Sequence, residues 1–348
     1  MTEQEILKLS IEAAAPNNTV LYDCDGNPSI MVRIPKFKLC DVIPGGSDRV
    51  HPAFLVQGRE IPAIYVSKYS NIMVNGKACS LPGVSPQSEV HREEVKSACE
   101  SKGRGWHMMT NAEWAAIALW CKKNGFMPRG NNAFAKDYYC PYERGIVTYT
   151  YERNGELREG KTATGSGPVS WNHDNSPAGI ADMNGNVWTQ MGGLRLVDGE
   201  LQIIPDNNSA AGVDESDESA LWRAVLPDGS LVMPGTPGTL KYAPRDGKIV
   251  LSSTAAEPAD QWASSPFGSL QSDVEVPELL KALALFPADL DGYGEQGVWC
   301  NNTGIRFPWR GGTWDAFQYS GVYCLFMCYP RPHISEWMGF RCAYIEMD

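Results

Sequence analysis

Apolar and polar positions along this chain fall into blocks of differing period. The opening residues, MTEQEILKLS, form an amphipathic start, and strand-like pieces follow to about residue 45, with Asp25-Gly26-Asn27 as a turn. The apolar, β-branched run from Ile61 to Tyr69 predicts a strand. Ser88 to Ser101 predicts a helix stopped by Gly103. The next helix, over 110–124, has a stronger signature. Thr110 and Glu113 form a capping box, and Trp114, Ile117, Ala118 and Cys121 make an apolar face. Lys122 and Lys123 suit the negative end of the helix dipole, and Gly125 suits a C-terminal cap. Two helices after a strand point to an α+β domain.

Further on, Asn154-Gly155 lies between Tyr151 and Leu157, and Asp198-Gly199 lies between two apolar runs; both predict hairpins. Residues 205–275 are richer in Asp, Ser, Ala, Pro and Gly. They read as a long ordered insertion, punctuated by Trp222, Leu231 and Tyr242, with a turn near Pro227-Asp228-Gly229. Val276 to Phe286 predicts a short helix opened by Pro277. The insertion as a whole runs over about 205–290. Residues 1–50 form an N-terminal, strand-rich segment suited to attachment or oligomerisation, and 51–348 the main domain.

Composition narrows the function. The chain has 348 residues, 43% hydrophobic and 20% charged, with a net charge of -11. That balance excludes a basic stripe of the kind that tracks nucleic-acid phosphates. Acidic residues stand where a signal peptide would be basic, and no apolar segment follows them. No run approaches the roughly 18 apolar residues of a membrane span. Neither a nucleic-acid partner nor membrane insertion is therefore expected. The expected origin is cytoplasmic synthesis without a signal peptide. The cysteines are scattered, with only Cys324 and Cys328 close together, so reduced thiols are expected.

Four motifs, in order, carry a resemblance. Gly105-Trp106-His107-Met108-Met109-Thr110-Asn111-Ala112-Glu113-Trp114 resembles the R-L-P-T-E-A-E-W helix start of formylglycine-generating-enzyme-like domains. Gly179-Ile180-Ala181-Asp182-Met183-Asn184-Gly185-Asn186-Val187-Trp188 resembles their G-L-x-D-M-N-G-N-V-W-E-W signature. Arg310-Gly311-Gly312 and Gly339-Phe340-Arg341 resemble their terminal frame. The resemblance spans roughly residues 55–345. It implies a C-type-lectin-like fold: two helices on a mainly antiparallel sheet, with irregular loops and the long insertion. Physical chemistry gives the motif residues scaffold roles. Asn184, Gly185 and Asn186 can hold a turn with positive φ, and Trp188 is a large packing plate. Arg310 and Arg341 can each satisfy several buried carbonyls.

The segment 310–344 also resembles the variable region of diversity-generating retroelement proteins, in which adenine-directed mutagenesis rewrites codons inside a fixed frame. Arg310-Gly311-Gly312, Gly321-Val322-Tyr323 and Gly339-Phe340-Arg341 fit that frame. Between these points stand Asp315, Phe317, Tyr319, Phe326, Cys328, Tyr329, His333 and Ile334, all reachable from an Asn codon changed at its adenines. Glu336 and Trp337 need other template codons. Aromatics are dense here, as in paratopes. The resemblance implies that Asp315, Phe317, Tyr319, Tyr323, Phe326, Cys328, Tyr329, His333, Ile334, Glu336 and Trp337 form one exposed, ligand-binding patch. The bland alternative for Val322 to Tyr329 is an ordinary core strand.

Catalysis is the competing reading. The copper-dependent oxidases of the same family place two cysteines just after R-G-G, and the corresponding positions here are Ala316 and Gly321. Cys324 and Cys328 are shifted off that motif. The five histidines (His51, His91, His107, His173 and His333) lack H-x-x-x-H spacing, and His107 reads as a satisfied core residue. A calcium-dependent sugar lectin would use E-P-N, to which Glu257-Pro258-Ala259-Asp260 is the nearest match. The family's structural calcium would fall on Asp182, but Thr189 stands where an acidic ligand belongs. No catalytic residue and no cofactor is expected; calcium at Asp182 is the metal candidate, and the Cys324/Cys328 pair is a lesser one for a soft metal. The expectation is a non-catalytic binding protein for a protein or glycan ligand, associated with a virion or phage tail. The alternative is a divergent formylglycine-generating oxidase.

Overall fold

The structure, a computed structural model, describes residues 1–255 and 260–347. Glu257, Pro258 and Ala259 of the candidate sugar motif lie outside the described residues. The fold is α+β, with long sheets of mainly antiparallel strands and few helices.

The helix Asn111–Lys123 is the centre of the molecule. Its N-terminus is set by the capping box: the Glu113 backbone N–H donates to Thr110 Oγ1 at 3.2 Å, and the Thr110 N–H donates to Glu113 at 3.0 Å. Ten of its residues are buried, because apolar or small side chains surround the axis and three sheets enclose it. Its Lys122 and Lys123 occupy the last turn.

The first sheet orders Asn18–Tyr22, Pro28–Pro35, Ala63–Ser67, Cys342–Tyr344 and Trp106–Met108. Residues 1–50 thus share a sheet with the chain's last strand. Strand alternation splits this sheet between two helices. Val32, Ile34, Ile64 and Val66 face the central helix. Met31, Trp106, Met108 and Cys342 face the helix Arg92–Glu100 through Val95, Ala98 and Cys99.

Residues 194–306 supply all the strands of a second, eight-stranded sheet. It starts with the hairpin Leu194–Val197 and Glu200–Ile203, turned at Asp198-Gly199 with positive φ at both. Trp222 and Tyr242 are buried in this region, as expected of an ordered insertion, while Leu231 lies at its surface. The helix Glu278–Ala282 follows Pro277. The Asn154-Gly155 hairpin joins Thr150–Arg153 to Glu156–Glu159.

The third sheet carries the candidate site. Its six strands run in the order Trp262–Pro266, Gly297–Asn301, Gly321–Met327, Trp309–Gly311, Trp188–Gln190 and Met338–Phe340. Two neighbouring pairs are parallel and the rest antiparallel. No helix among the described residues is long and apolar enough to cross a membrane.

Candidate functional site

The motif residues form the ground under the site. Arg310 is fully buried: its Nε and Nη2 donate to Asn111 Oδ1 at 3.0 and 2.8 Å, and Nη2 also donates to the carbonyl of Ala284 at 3.0 Å. Arg341 is equally buried and donates to the carbonyls of Ser67, Lys68, Ala181 and Asp182. Burial pulls both guanidinium groups down to about 10, which still leaves them charged at neutral pH. Both therefore fasten segments distant in sequence, as their residue type led us to expect.

The turn Asn184-Gly185-Asn186 is a second fastener. Gly185 and Asn186 have φ of 74° and 63°. A Cβ on Gly185 would collide with the carbonyl oxygen of Asn131, so only glycine fits. Asn186 Oδ1 accepts from the Thr162 N–H at 3.0 Å, and its amide donates to the Thr162 carbonyl at 3.0 Å. The Gly185 N–H donates to the Gly311 carbonyl at 2.9 Å, which ties this turn to the start of the variable segment.

Asp182, the calcium candidate, is engaged by the fold itself. Its carboxylate accepts from the Gly165 N–H at 2.9 Å, and burial pushes its pKa up. Its own carbonyl, like that of Ala181, accepts from the Arg341 guanidinium, which sets a fixed cation beside this turn. Thr189 is buried and supplies no carboxylate.

Above this ground the six-stranded sheet turns one face to the core and one outward. Val298, Cys300, Tyr323, Leu325 and Met327 face the core. Trp299, Phe326, Trp309, Trp188 and Met338 gather on the other face. Register places Trp299 opposite Phe326 and Phe326 opposite Trp309, a row of three rings across adjacent strands. Phe326 and Trp309 stack at 5.4 Å with 15° between planes. Trp262, on the edge strand, stands 6.4 Å from Phe326. Trp188 lies 5.5 Å from it. Such cross-strand ring pairs are the units that stabilise sheet faces.

Onto this row come four of the residues expected in the patch. Tyr319 is 42% exposed and reaches Trp299 edge-on at 6.2 Å. Phe326 is part of the row itself. Tyr329 and His333 are stacked at 3.9 Å with a 6° interplanar angle, and both rings lie over Trp309 at 5.4 and 5.5 Å. Burial lowers the His333 pKa, so this imidazole is neutral at pH 7.

The other residues gather nearby but separately. Asp315 pairs with Arg153 at 3.4 Å, and burial raises its pKa. Glu336 accepts from the Tyr149 hydroxyl. Trp337 is 37% exposed and lies 6.5 Å from the buried Trp314, while its carbonyl accepts from the Trp188 N–H at 2.8 Å. Phe317, with φ of 53°, packs against Phe134 and Tyr138. Ile334 is 45% exposed.

Two residues depart from the expected exposure. Tyr323 is 1% exposed and its hydroxyl donates to the Ala118 carbonyl at 3.0 Å, inside the core between Phe267 and Tyr293. It lies three positions from Phe326 on one strand, so the two must point to opposite faces. Cys328 is also buried, and burial pushes its thiol well up. These two are core residues, and the exposed patch is smaller than expected by both.

Sequence reasoning missed Trp262, Trp299 and Trp309. Trp309 directly precedes Arg310-Gly311-Gly312, and strand alternation from Arg310 would have turned it outward. Trp262 and Trp299 gave no local signal, since only sheet pairing brings them to the row. Arg331 was missed as well. Its guanidinium bonds Asp217 at 2.8 and 3.1 Å, the Glu215 carbonyl at 2.7 Å and Glu93, and covers Phe307 at 4.4 Å. It fastens the loop after Cys328 to the insertion. His107 is the satisfied core residue expected, bonded to Glu113 at 2.8 Å and the Gly105 carbonyl at 3.0 Å.

No family model matches the sequence, and no curated protein matches it. Several solved structures match this chain at low identity. PvdO from Pseudomonas aeruginosa is 14% identical with a TM-score of 0.37, covering 94% of this chain and 98% of that one. Treponema denticola variable protein 1 is 11% identical with a TM-score of 0.36, covering 95% and 100%. The Major Tropism Determinant P3c variant is 11% identical with a TM-score of 0.31, covering 91% of this chain and 63% of that one.

Proposed function

We propose that this chain is a non-catalytic binding protein that recognises a protein or glycan target with the outer face of its six-stranded sheet. The side chains diversified on that face and on the loops beside it would be Asp315, Phe317, Tyr319, Phe326, Tyr329, His333, Ile334, Glu336 and Trp337. The observation that supports this best is the row Trp299–Phe326–Trp309, overlain by Tyr329 and His333 and turned away from the core. Rigid aromatic side chains give large contact area at small entropic cost. Beneath them, Arg310, Arg341 and the Asn184-Gly185-Asn186 turn hold the backbone without using any patch side chain.

An oxidase reading finds less support. The positions that would carry the copper thiolates are Ala316 and Gly321. Cys324 and Cys328 are buried, and burial pushes both thiols upward, away from the thiolate a soft metal requires.

Attachment to a virion or tail belongs to the same proposal. The helix Glu3–Ala14 has no buried residue and presents Ile6, Leu7 and Leu9 to solvent, so it is the part of residues 1–50 that would meet a carrier. The test is sequencing of the neighbouring DNA and of this segment across a population. The expected result is a near-identical template repeat beside a reverse-transcriptase gene, with variation at patch codons and none at Tyr323. Patch codons that are as invariant as Tyr323, with no template, would overturn the reading.

A further inference from the structure

The hairpin of Thr150–Arg153 and Glu156–Glu159 leans one face on the variable segment. Its base is fixed, because the Thr162 N–H and carbonyl are both bonded to the Asn186 side chain. Beyond that base the arm is thinly held: no residue from 146 to 159 is buried. Tyr149, Tyr151 and Arg153 alternate along one strand and so share a face. Two residues expected to be diversified engage that face. Glu336 accepts from the Tyr149 hydroxyl, and Asp315 pairs with Arg153 at 3.4 Å. Tyr149 and Tyr151 also pack on Trp314, each ring 5.9 Å from the indole.

Three buried donors at this contact meet no acceptor among the described residues: Trp314 Nε1, the Tyr151 hydroxyl and Arg158 Nε. They stand together. Trp314 is fully buried against Tyr151. Arg158 lies directly opposite Tyr151 across the hairpin, so the two side chains share a face. The Arg158 guanidinium lies 5.2 Å over the Phe134 ring, and the Phe134 N–H donates to the Trp314 carbonyl at 2.7 Å. The neighbouring carboxylates are engaged elsewhere, Asp315 by Arg153 and Glu336 by Tyr149. A buried donor without an acceptor is costly, and three in one place favour a partner that brings an acceptor to them.

We propose that this hairpin is a flap over a carbonyl-binding site: when it lifts, Trp314 Nε1, the Tyr151 hydroxyl and Arg158 Nε receive a peptide carbonyl of a protein target. An indole N–H and a guanidinium N–H can only donate. A carbonyl oxygen can only accept and so matches them, whereas a sugar hydroxyl brings a proton that needs an acceptor of its own. Asp315 and Glu336 latch the flap. Substitution at these two positions therefore changes how readily it opens as well as the chemistry of the face. The partner's identity rests on the recognition-face reading; the flap and its donors are tested on one sequence with small probes, so either can fail alone.

Acetanilide supplies an amide carbonyl on a flat ring, N-ethylaniline is the same molecule with that carbonyl replaced by a methylene, and methyl β-glucoside supplies hydroxyls. Each would be titrated into the full chain labelled with ¹⁵N-tryptophan. Acetanilide is expected to bind in the millimolar range and to move the Trp314 indole N–H signal. N-ethylaniline should bind at least roughly tenfold more weakly, because it cannot pair the buried donors. The glucoside should leave the signal in place. Tyr151→Phe, which keeps the ring, should weaken acetanilide about fivefold. In the double variant Asp315→Asn with Glu336→Gln, amide exchange over 150–159 should speed up and acetanilide should bind more tightly, because the open form is more populated. An unmoved Trp314 signal up to the solubility limit, equal binding of N-ethylaniline, a shift produced by the glucoside, unchanged binding in Tyr151→Phe, or unchanged exchange in the double variant would each overturn the proposal.

Discussion

Tyr323 and Phe326 stand on opposite faces of a single strand: the Tyr323 hydroxyl donates to Ala118 of the central helix at 3.0 Å, while the Phe326 ring stacks outward on Trp309 at 5.4 Å. One is bound into the core and the other is half-buried at the surface. Tyr323→Ala should therefore cost about 3–5 kcal/mol, as large core truncations do. Tyr323→Phe should cost only about 1 kcal/mol, the value of one hydrogen bond. Phe326→Ala should cost less than half as much as Tyr323→Ala. Urea unfolding of the three variants measures all of these.

Acid should destabilise the fold through two buried histidines. Burial holds His51 and His173 down to about 4, against about 6.5 in an unfolded chain. Their contribution is fully present above about pH 6.5 and is lost as pH falls toward 4. His107 runs the other way: burial opposes its charge, but the Glu113 carboxylate outweighs that and raises its pKa. Its contribution is present at low pH and fades as pH rises through the folded value. Urea midpoints at about pH 7 and about pH 4.5 should fall apart in the native chain. That difference should shrink in His51→Gln and in His173→Gln, and an unchanged difference would rule out the assignment.

Arg331 should control the loop it fastens rather than the whole fold. Its ion pairs with Glu93 and Asp217 are partly exposed, and such pairs contribute roughly 1 kcal/mol or less to global stability. Arg331→Ala should leave the melting temperature nearly in place. Amide exchange over 333–337 should speed up markedly, because that segment loses its tie to the insertion. Raised salt should produce part of the same effect in the native chain. Uniform exchange in both proteins would show that the loop is held by other contacts.

Arg341 is expected to be irreplaceable. Its fork reaches four carbonyls on two segments, and a lysine ammonium cannot reproduce that geometry. Arg341→Lys and Arg341→Met should both lower stability by several kcal/mol, since each orphaned buried acceptor costs about 1–3 kcal/mol. Circular dichroism melts decide this. A variant melting within a few degrees of the native protein would contradict the scaffold role.

Local features of the fold were legible in the sequence because their causes are local. The Thr110–Glu113 box, the Asn154-Gly155 and Asp198-Gly199 turns and the Pro277 helix start each depend on a few neighbouring residues. Arg310 and Arg341 were legible by residue type, since a buried guanidinium needs carbonyls. The site was legible only in part. Tyr323 was placed outward because the phase of the strand alternation was not fixed, while Cys328 lies just past the strand's end at Met327, where alternation no longer decides which side is buried. The irregularity between Arg310 and Gly311, where the register shifts, removes the nearest reference for that phase. Trp262 and Trp299 join the aromatic row through pairing with strands far along the chain, which no local pattern encodes.

The most direct test of a recognition face is selection from a displayed library. The library would be randomised at Asp315, Phe317, Tyr319, Phe326, Tyr329, His333, Ile334, Glu336 and Trp337, with a matched library randomised at Tyr323, Leu325, Met327 and Cys328. Both would be sorted for folding and then panned against a folded protein such as hen lysozyme and against immobilised glycans. The account predicts that most patch-library clones fold and that specific binders emerge from them, while few core-library clones fold. Collapse of the patch library to the level of the core library, with no binder recovered, would contradict it.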